Sequence, residues 1–448
     1  MGVVSIVKLS ELEGAKRIDA EYYQPEYLVL DKKIKAIKFY SFSELIGKFS
    51  SGNNLAQVNF QSSYTPFIRT QNVRPILIDN EGLTCVDPSI DNPAVLEEGV
   101  ILFVRVGEGV GNSSIVTRYW RGSSCSDNVL RVKIKYLDPY FVIAYLNSKL
   151  GEQYLERVKK GSARSLISRQ NVDLIRIYEP ADEVVVYCRT NILEAQKLVI
   201  NSESLYSQAE NLLLEELELK DFKPKYELSY STNLSKAFEV CRVDAEYFQP
   251  VYHQLIEHLK GSFETMPLKT FILDFQKGTE VGSEKYQEEG KPFIRVSNLS
   301  IRGFVKRDQQ YIDEELYQRL KDTYEPKVGD FLLTKDATPG IAYVVKEPIE
   351  GIIGSGILKL GMNESEINKE YLAFCINTVA GKMQIERDSG GSVITHWRPQ
   401  QIKNLQIPIL APETQQKIAS LVQESHEAKK NANELLESAK RKVQEAIR

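Results

Sequence analysis

Between residues 182 and 219 the chain has no Pro or Gly, and Ile192, Val199, Tyr206 and Leu213 recur every seven positions with Leu198, Leu205, Leu212 and Leu219 beside them. Between residues 413 and 448, Ile418, Leu421, Ser425, Ala428, Ala432, Leu435, Ala439 and Ala446 follow steps of three, four or seven. A repeat of 3.5 predicts two long helices with heptad seams, and small seam residues let two backbones approach closely. Each helix follows about 180 residues of a different texture. Helices are predicted over 27–38 and 252–260, after a Pro suited to a first helical turn. Short strands are predicted at 65–69, 100–104 and 129–134, the last alternating apolar and basic residues. A helix over 139–159 would bury Ile143, Leu146, Leu150, Tyr154 and Val158; a polar loop (161–169) and a strand (174–178) follow. The second half repeats this order with a helix over 371–386, a loop over 390–398 and a strand over 405–409.

The repetition extends to the letters. Arg17-Ile18-Asp19-Ala20-Glu21-Tyr22-Tyr23-Gln24-Pro25 returns 225 residues later as Arg242-Val243-Asp244-Ala245-Glu246-Tyr247-Phe248-Gln249-Pro250. Pro66-Phe67-Ile68-Arg69 with Asn72 matches Pro292-Phe293-Ile294-Arg295 with Asn298 at offset 226. Gly99 with its strand matches Gly329, and Gly161-Ser162 through Gln170 matches Gly391-Ser392 through Gln400, both at offset 230. Landmarks in constant order amid diverged sequence indicate one scaffold built twice and carrying two different binding surfaces.

Composition narrows the class. Hydrophobic content of 42% and charge of 26% in 448 residues are globular values, and no apolar run of 18 residues exists, so no transmembrane helix is expected. No basic-then-apolar N-terminal stretch reads as a signal peptide. Five widely spaced cysteines without a CxxC pair read as buried thiols of a cytoplasmic protein, with neither disulfides nor zinc. Net charge is -4, but residues 182–221 carry -6, and residues 156–176 hold six basic against two acidic side chains. That basic excess could face phosphate or be a solvated surface.

Enzymatic signatures are missing. Gly107-Glu108-Gly109-Val110-Gly111 spells GxGxG, but its counterpart, residues 335–340, keeps only one turn-like Gly, so a tight turn is expected rather than a cofactor loop. There is no GxxxxGK[ST] loop and no amino-methyltransferase tetrapeptide. His253 and His258 are five apart on a predicted helix, which suits surface residues better than joint metal ligation; His396 in the polar loop is the functional candidate. No catalytic or metal site is expected.

Taken together, the duplicated halves, the aromatic-Ile-Arg-x-x-Asn strands, the Gly-Ser loops and the segment Ile407-Pro408-Ile409-Leu410-Ala411-Pro412-Glu413-Thr414-Gln415-Gln416-Lys417-Ile418 resemble the specificity (S) subunit of type I restriction-modification enzymes, the HsdS family. The first half departs from the last segment, with Glu179-Pro180-Ala181-Asp182-Glu183 and no Gln-x-x-Ile. The resemblance implies an α+β fold: two homologous mixed α/β target recognition domains in a pseudo-twofold repeat, separated by two long antiparallel coiled-coil helices. The expected divisions are residues 1–181, 182–221, 222–411 and 412–448. It implies a non-catalytic DNA-recognition subunit whose halves each read one half-site of a bipartite double-stranded DNA target. Two methyltransferase subunits would bring S-adenosylmethionine, and restriction/translocase subunits would bring ATP and Mg. The competing readings are a single-chain methyltransferase or nuclease with a fused reader, and a coiled-coil scaffold that binds no DNA. Polar and basic side chains that read base edges make Arg69, Gln71, Asn72, Arg164, Ser165 and Arg169 the first half's DNA-binding candidates. Arg295, Ser297, Asn298, Thr395, His396 and Arg398 are those of the second.

Overall fold

The computed structural model describes residues 4–9, 12, 18–54, 60–87, 94–107, 109–159, 167–223, 225–306, 308–390 and 396–447. The chain forms two compact units, residues 1–200 with 428–448 and residues 201–427. Both of the long helices contribute to both units.

In the first unit the strands are β1 (Phe39–Ser41), β2 (Ile46–Ser51), β3 (Phe60–Ile68), β4 (Thr84–Val86), β5 (Val100–Val104), β6 (Ser113–Ile115), β7 (Ser124–Cys125), β8 (Val129–Ile134) and β9 (Arg176–Tyr178). The helices are α1 (Pro25–Lys35), α2 (Phe42–Leu45), α3 (Pro139–Leu146), α4 (Lys149–Lys159), α5 (Arg169–Val172) and the start of α6 (Asp182–Glu216). A four-stranded sheet runs in the order β2-β8-β5-β6, a three-stranded one β4-β3-β7, and β1 pairs with β9. The β5 run Val-Ile-Leu-Phe-Val is wholly buried because both faces of its strand are covered. Ile101 and Phe103 join one apolar core with the helices. Val100, Leu102 and Val104 join a second core with Ile68, Val116 and Trp120.

The second unit repeats this plan. Its strands are β10 (Thr265–Pro267), β11 (Ile272–Lys277), β12 (Lys291–Ile294), β13 (Leu299–Ser300), β14 (Gly303–Phe304), β15 (Gln310–Ile312), β16 (Phe331–Thr334), β17 (Ala342–Val344), β18 (Ile352–Ile353), β19 (Ile357–Met362) and β20 (Gln406–Pro408). Its helices are α7 (Leu234–Val240), α8 (Pro250–Ser262), α9 (Glu314–Tyr324), α10 (Lys369–Asn377), α11 (Val379–Ser389), α12 (Pro399–Asn404) and the start of α13 (Pro412–Glu445). The sheets read β11-β19-β16-β17, β15-β12-β18 and β10-β20, matching the first unit strand for strand, with the hairpin β13-β14 added. Phe331 and Leu333 face one core and Leu332 another, as on β5.

The single helices expected over 139–159 and 371–386 are each broken in two, at the same place and by the same device. Asn147 donates to Ile143 O at 2.9 Å and to Ser113 O at 3.2 Å, so its amide serves the sheet as well as the helix end. Asn377 both donates to Ala342 O (2.7 Å) and accepts from Ala342 N (3.0 Å). The next helix then packs against the first so tightly that only Gly fits. A Cβ at Gly151 would lie 2.3 Å from Tyr145 O, and one at Gly381 2.3 Å from Ile376 O.

The long helices show where the heptad reading was incomplete. Ile192, Val199 and Leu213 are buried, but the other rail of the seam is Cys188, Ala195, Ser202 and Ala209, not the flanking leucines. In the first unit α6 and α13 run antiparallel: Glu183 pairs with Lys442 at 2.5 Å, Tyr187 with Ser438 at 2.8 Å, and Cys188 faces Ala439 O. In the second, Ser202 and Ser425 each donate to the other's carbonyl at 2.7 Å. Ala446 lies beyond the last helical residue and is exposed; Val443, four residues after Ala439, takes the seam position. Gln415 of the family-like segment is a buried pin, donating to Leu410 O (2.9 Å) and accepting from Asn368 N (3.1 Å) at the start of α10.

Several residues differ from their expected setting. Cys241 is exposed, in the left-handed cap of α7, and Cys85 is half-buried. His258 bonds Leu217 O at 2.8 Å, whereas His253 is exposed beside Glu257. The basic stretch 156–176 does not simply face outward. Arg157, 2% exposed, stacks 4.0 Å over the Tyr22 ring, donates to Tyr22 O and pairs with Asp31 at 2.7 Å. Arg176 binds the other Asp31 oxygen at 2.6 Å, where Tyr154 also donates. The duplicated RxDAEYxQP segment is thus a docking element for α4. In the second unit Arg242 grips Asp244 and donates to Asp388 O and Gly390 O at the end of α11.

Burial alone would raise the Asp31 pKa, but the two guanidiniums hold it below its ordinary value of 3.8. A depressed carboxylate contributes stability above about pH 4 and loses it as pH falls through the folded value. Asp31→Asn strands two buried guanidiniums and should destabilise the first unit by about 3–5 kcal/mol at pH 7, with the deficit shrinking toward pH 3. Urea unfolding of the variant across that range measures both effects.

Candidate nucleic-acid interface

At one end of the first unit, three backbone hydrogen bonds join four segments that are distant in sequence. Ser126 N donates to Ile68 O (3.0 Å), Arg105 N to Asn128 O (2.9 Å), and Ile167 N to Arg105 O (3.0 Å). The second unit has the same three. Gly354 N donates to Ile294 O (2.8 Å), Lys335 N to Gly356 O (2.9 Å), and Trp397 N to Lys335 O (2.8 Å). This relay brings together the Arg69/Arg295 strand end, the turn after β5 or β16, and the exit of the polar loop.

The glycine motif is part of that assembly. Gly107, Gly109 and Gly111 have φ of +99°, +76° and +90°, and Gly111 N closes onto Val104 O at 3.1 Å. It is a hairpin turn between antiparallel β5 and β6, whereas a dinucleotide fingerprint needs a strand leading into a helix. The counterpart turn has Ala337 at φ +57° and Gly340 at +91°, with Gly340 N on Thr334 O at 2.9 Å.

The candidate residues fall into two groups. Asn72 and Asn298 are fully buried and spent on backbone. Asn72 accepts from Arg69 N (3.1 Å) and donates to Asp79 O and Glu81 O (both 3.0 Å); Asn298 accepts from Arg295 N (3.1 Å) and donates to Val305 O (3.2 Å). These side chains offer no free edge to a base. Arg69 and Arg295 lean the same way, onto Gly82 O and Asp308 O. Gln71 also donates to Gly82 O but stays exposed, as does Ser297.

Around the polar loops, Arg169 is exposed at the start of α5, 3.9 Å from Asp173. Arg398 is exposed at the start of α12, where its N–H is capped by Gln401 at 2.9 Å. His396 Nδ1 sits 2.8 Å from Asp336, whose other oxygen meets Lys335 at 2.5 Å. Burial would raise the Asp336 pKa, but the bonds from His396 and Lys335 hold it below the ordinary value. Arg164, Ser165 and Thr395 lie outside the described residues.

Sequence reasoning took residues 335–340 as a turn but named none of Arg105, Lys335 and Asp336 as a DNA-binding candidate, and it did not single out the segments 126–128 and 354–356. The available signal was their place beside landmarks already matched at offsets 226–230. Among the described residues no group of three His, Cys, Asp or Glu could hold a metal ion, and no helix is long and apolar enough to cross a membrane.

Losing a buried, satisfied amide should cost stability rather than discrimination. Asn72→Ala or Asn298→Ala should destabilise its own unit by about 1–3 kcal/mol, because the carbonyls it served are left unpaired. Thermal unfolding of the two variants checks this.

Residues 263–438 match the sequence family described as the type I restriction modification DNA specificity domain. The type I restriction enzyme MjaIX specificity subunit of Methanocaldococcus jannaschii is 28% identical over 137 residues, which are 30% of this chain and 31% of that protein. The match thus spans about a third of the curated relative's length. The S subunit of a type I restriction-modification system from M. genitalium superposes with TM-score 0.43 and 14% identity, covering 91% of this chain and 95% of that one. The HsdS subunit from Thermoanaerobacter tengcongensis gives 0.30 and 13%, covering 92% and 96%. The sequence match is confined to residues 263–438, and over that segment the chain is similar to the type I restriction modification DNA specificity domain.

Proposed function

We propose that this chain is the DNA-reading subunit of a type I restriction-modification complex, each unit contacting one half of a bipartite target. The observation that carries this reading is the repeated relay. The same hydrogen-bond scaffold presents different side chains in the two units: Arg105-Val106 in one, and Lys335-Asp336 with His396 in the other. A duplicated scaffold with diverged tips suits two half-sites of different sequence, since base edges are read by side chains while backbone geometry only places them.

Methyl transfer in this account belongs to two copies of a modification subunit, with their S-adenosylmethionine. Translocation and cleavage belong to restriction subunits, with ATP and Mg. The net charge of -4 fits a reader that shares its DNA channel with such partners. The paired helices set the length of unspecified DNA between the half-sites.

Purified alone, the chain should transfer no methyl group to DNA; activity in a clean preparation would contradict the proposal. In the assembled methyltransferase, Arg398→Ala should weaken binding by about 1–3 kcal/mol and relax one position of one half-site, as read by long-read methylome sequencing.

Four residues inserted in both helices at matched positions add about 6 Å, near two base pairs, while turning each helix by about one turn. The unspecified gap should change and both half-sites persist. Altered half-sites with an unaltered gap would contradict this role of the helices.

A further inference from the structure

We propose that His396 is a specificity-determining residue of the second unit and that its Nε2 accepts a hydrogen bond from an amino-bearing base, adenine or cytosine. The inference rests on the DNA-reading function proposed above.

The geometry fixes the ring's chemistry. Asp336 is held ionised, and an ionised carboxylate only accepts, so the nitrogen 2.8 Å away must carry its proton. Nδ1 is therefore the N–H side of the imidazole, and in the neutral ring Nε2 is left as an acceptor. Lys335, 2.5 Å from the other Asp336 oxygen, balances that carboxylate's charge, so the ring need not be cationic to neutralise it. The side chains are graded in exposure as a supported reader would be: Lys335 15%, Asp336 23% and His396 63%. An isolated bridge pairs Asp336 with His396, and Trp397 N holds Lys335 O, so backbone as well as side chain fixes the ring against the turn.

In the major groove, the donors that an acceptor can meet are adenine N6–H and cytosine N4–H; guanine and thymine present only acceptors and a methyl group there. The first unit has Val106 at the position of Asp336, so the device is not shared. This is what a residue serving only one half-site should look like.

The test is methylome sequencing of the assembled methyltransferase carrying wild-type chain, His396→Ala, Asp336→Asn or His396→Gln. His396→Ala should relax one position of the second unit's half-site, with roughly fivefold or more loss of discrimination. Asp336→Asn, which no longer fixes the tautomer, should relax the same position. His396→Gln, whose Oε1 still accepts, should keep the preference. An intact first half-site in each variant shows that the chain has folded and assembled.

An unrelaxed half-site in His396→Ala, or relaxation of different positions by His396→Ala and Asp336→Asn, would each overturn the inference. If His396→Ala abolishes methylation altogether, His396→Gln decides: a retained preference supports the assignment and a relaxed one overturns it. A wild-type complex that methylates no bipartite target would contradict the DNA-reading function itself. An unchanged His396→Ala on a bipartite target contradicts this assignment alone.

Discussion

A three-residue antiparallel ladder governs each half of the molecule. In the first unit Phe39, Tyr40 and Ser41 oppose Tyr178, Ile177 and Arg176; in the second Thr265, Met266 and Pro267 oppose Pro408, Ile407 and Gln406. Everything between these strands leaves and returns through adjacent positions. Each closing strand then runs within a few residues into a long helix, α6 or α13. Buried tyrosine hydroxyls pin both closures, Tyr145 onto Arg176 O at 2.6 Å and Tyr371 onto Pro408 O at 2.7 Å. A closed loop of this kind lets the sequence between the strands diverge without moving the helices, because entry and exit are fixed independently of what lies beyond.

Within each loop the demands on sequence are unequal. The sheet order, the broken helix with its Asn and close-packed Gly, and the three-bond relay are the same in both units. These features satisfy backbone groups or fill space that admits one residue type. The exposed tips beyond the relay answer to no such requirement, and there the units part: one has Val106 where the other has Asp336 with His396. In the proposed function, stability belongs to the shared frame and discrimination to the tips. A binding surface can then change with little cost to folding.

Periodicity made the long helices legible, and duplication made the two-unit plan legible, since both are properties of order along the chain. Contacts whose partners lie over a hundred residues away were not. Arg157 and Arg176 read as part of a basic surface, yet Asp31 draws both inward. Asn72 and Asn298 were repeated polar residues in repeated strands, a pattern equally open to a base contact or a loop pin; burial decides for the pin. The small rail Cys188, Ala195, Ser202 and Ala209 was masked by louder leucines beside it. For the candidate surface the sequence pointed to the polar loops, whereas the turn residues Arg105, Lys335 and Asp336 are linked to Ile167, His396 and Trp397 only through tertiary hydrogen bonds.

Replacement of one loop by the other tests the central claim most directly. A chain in which residues 39–178 are exchanged for a second copy of residues 265–408 keeps both ladders and both long helices. Assembled with modification subunits and read by methylome sequencing, it should methylate an inverted repeat of the second unit's half-site, with the natural gap. Persistence of the first unit's half-site in the methylated sequence would show that recognition does not reside in these loops.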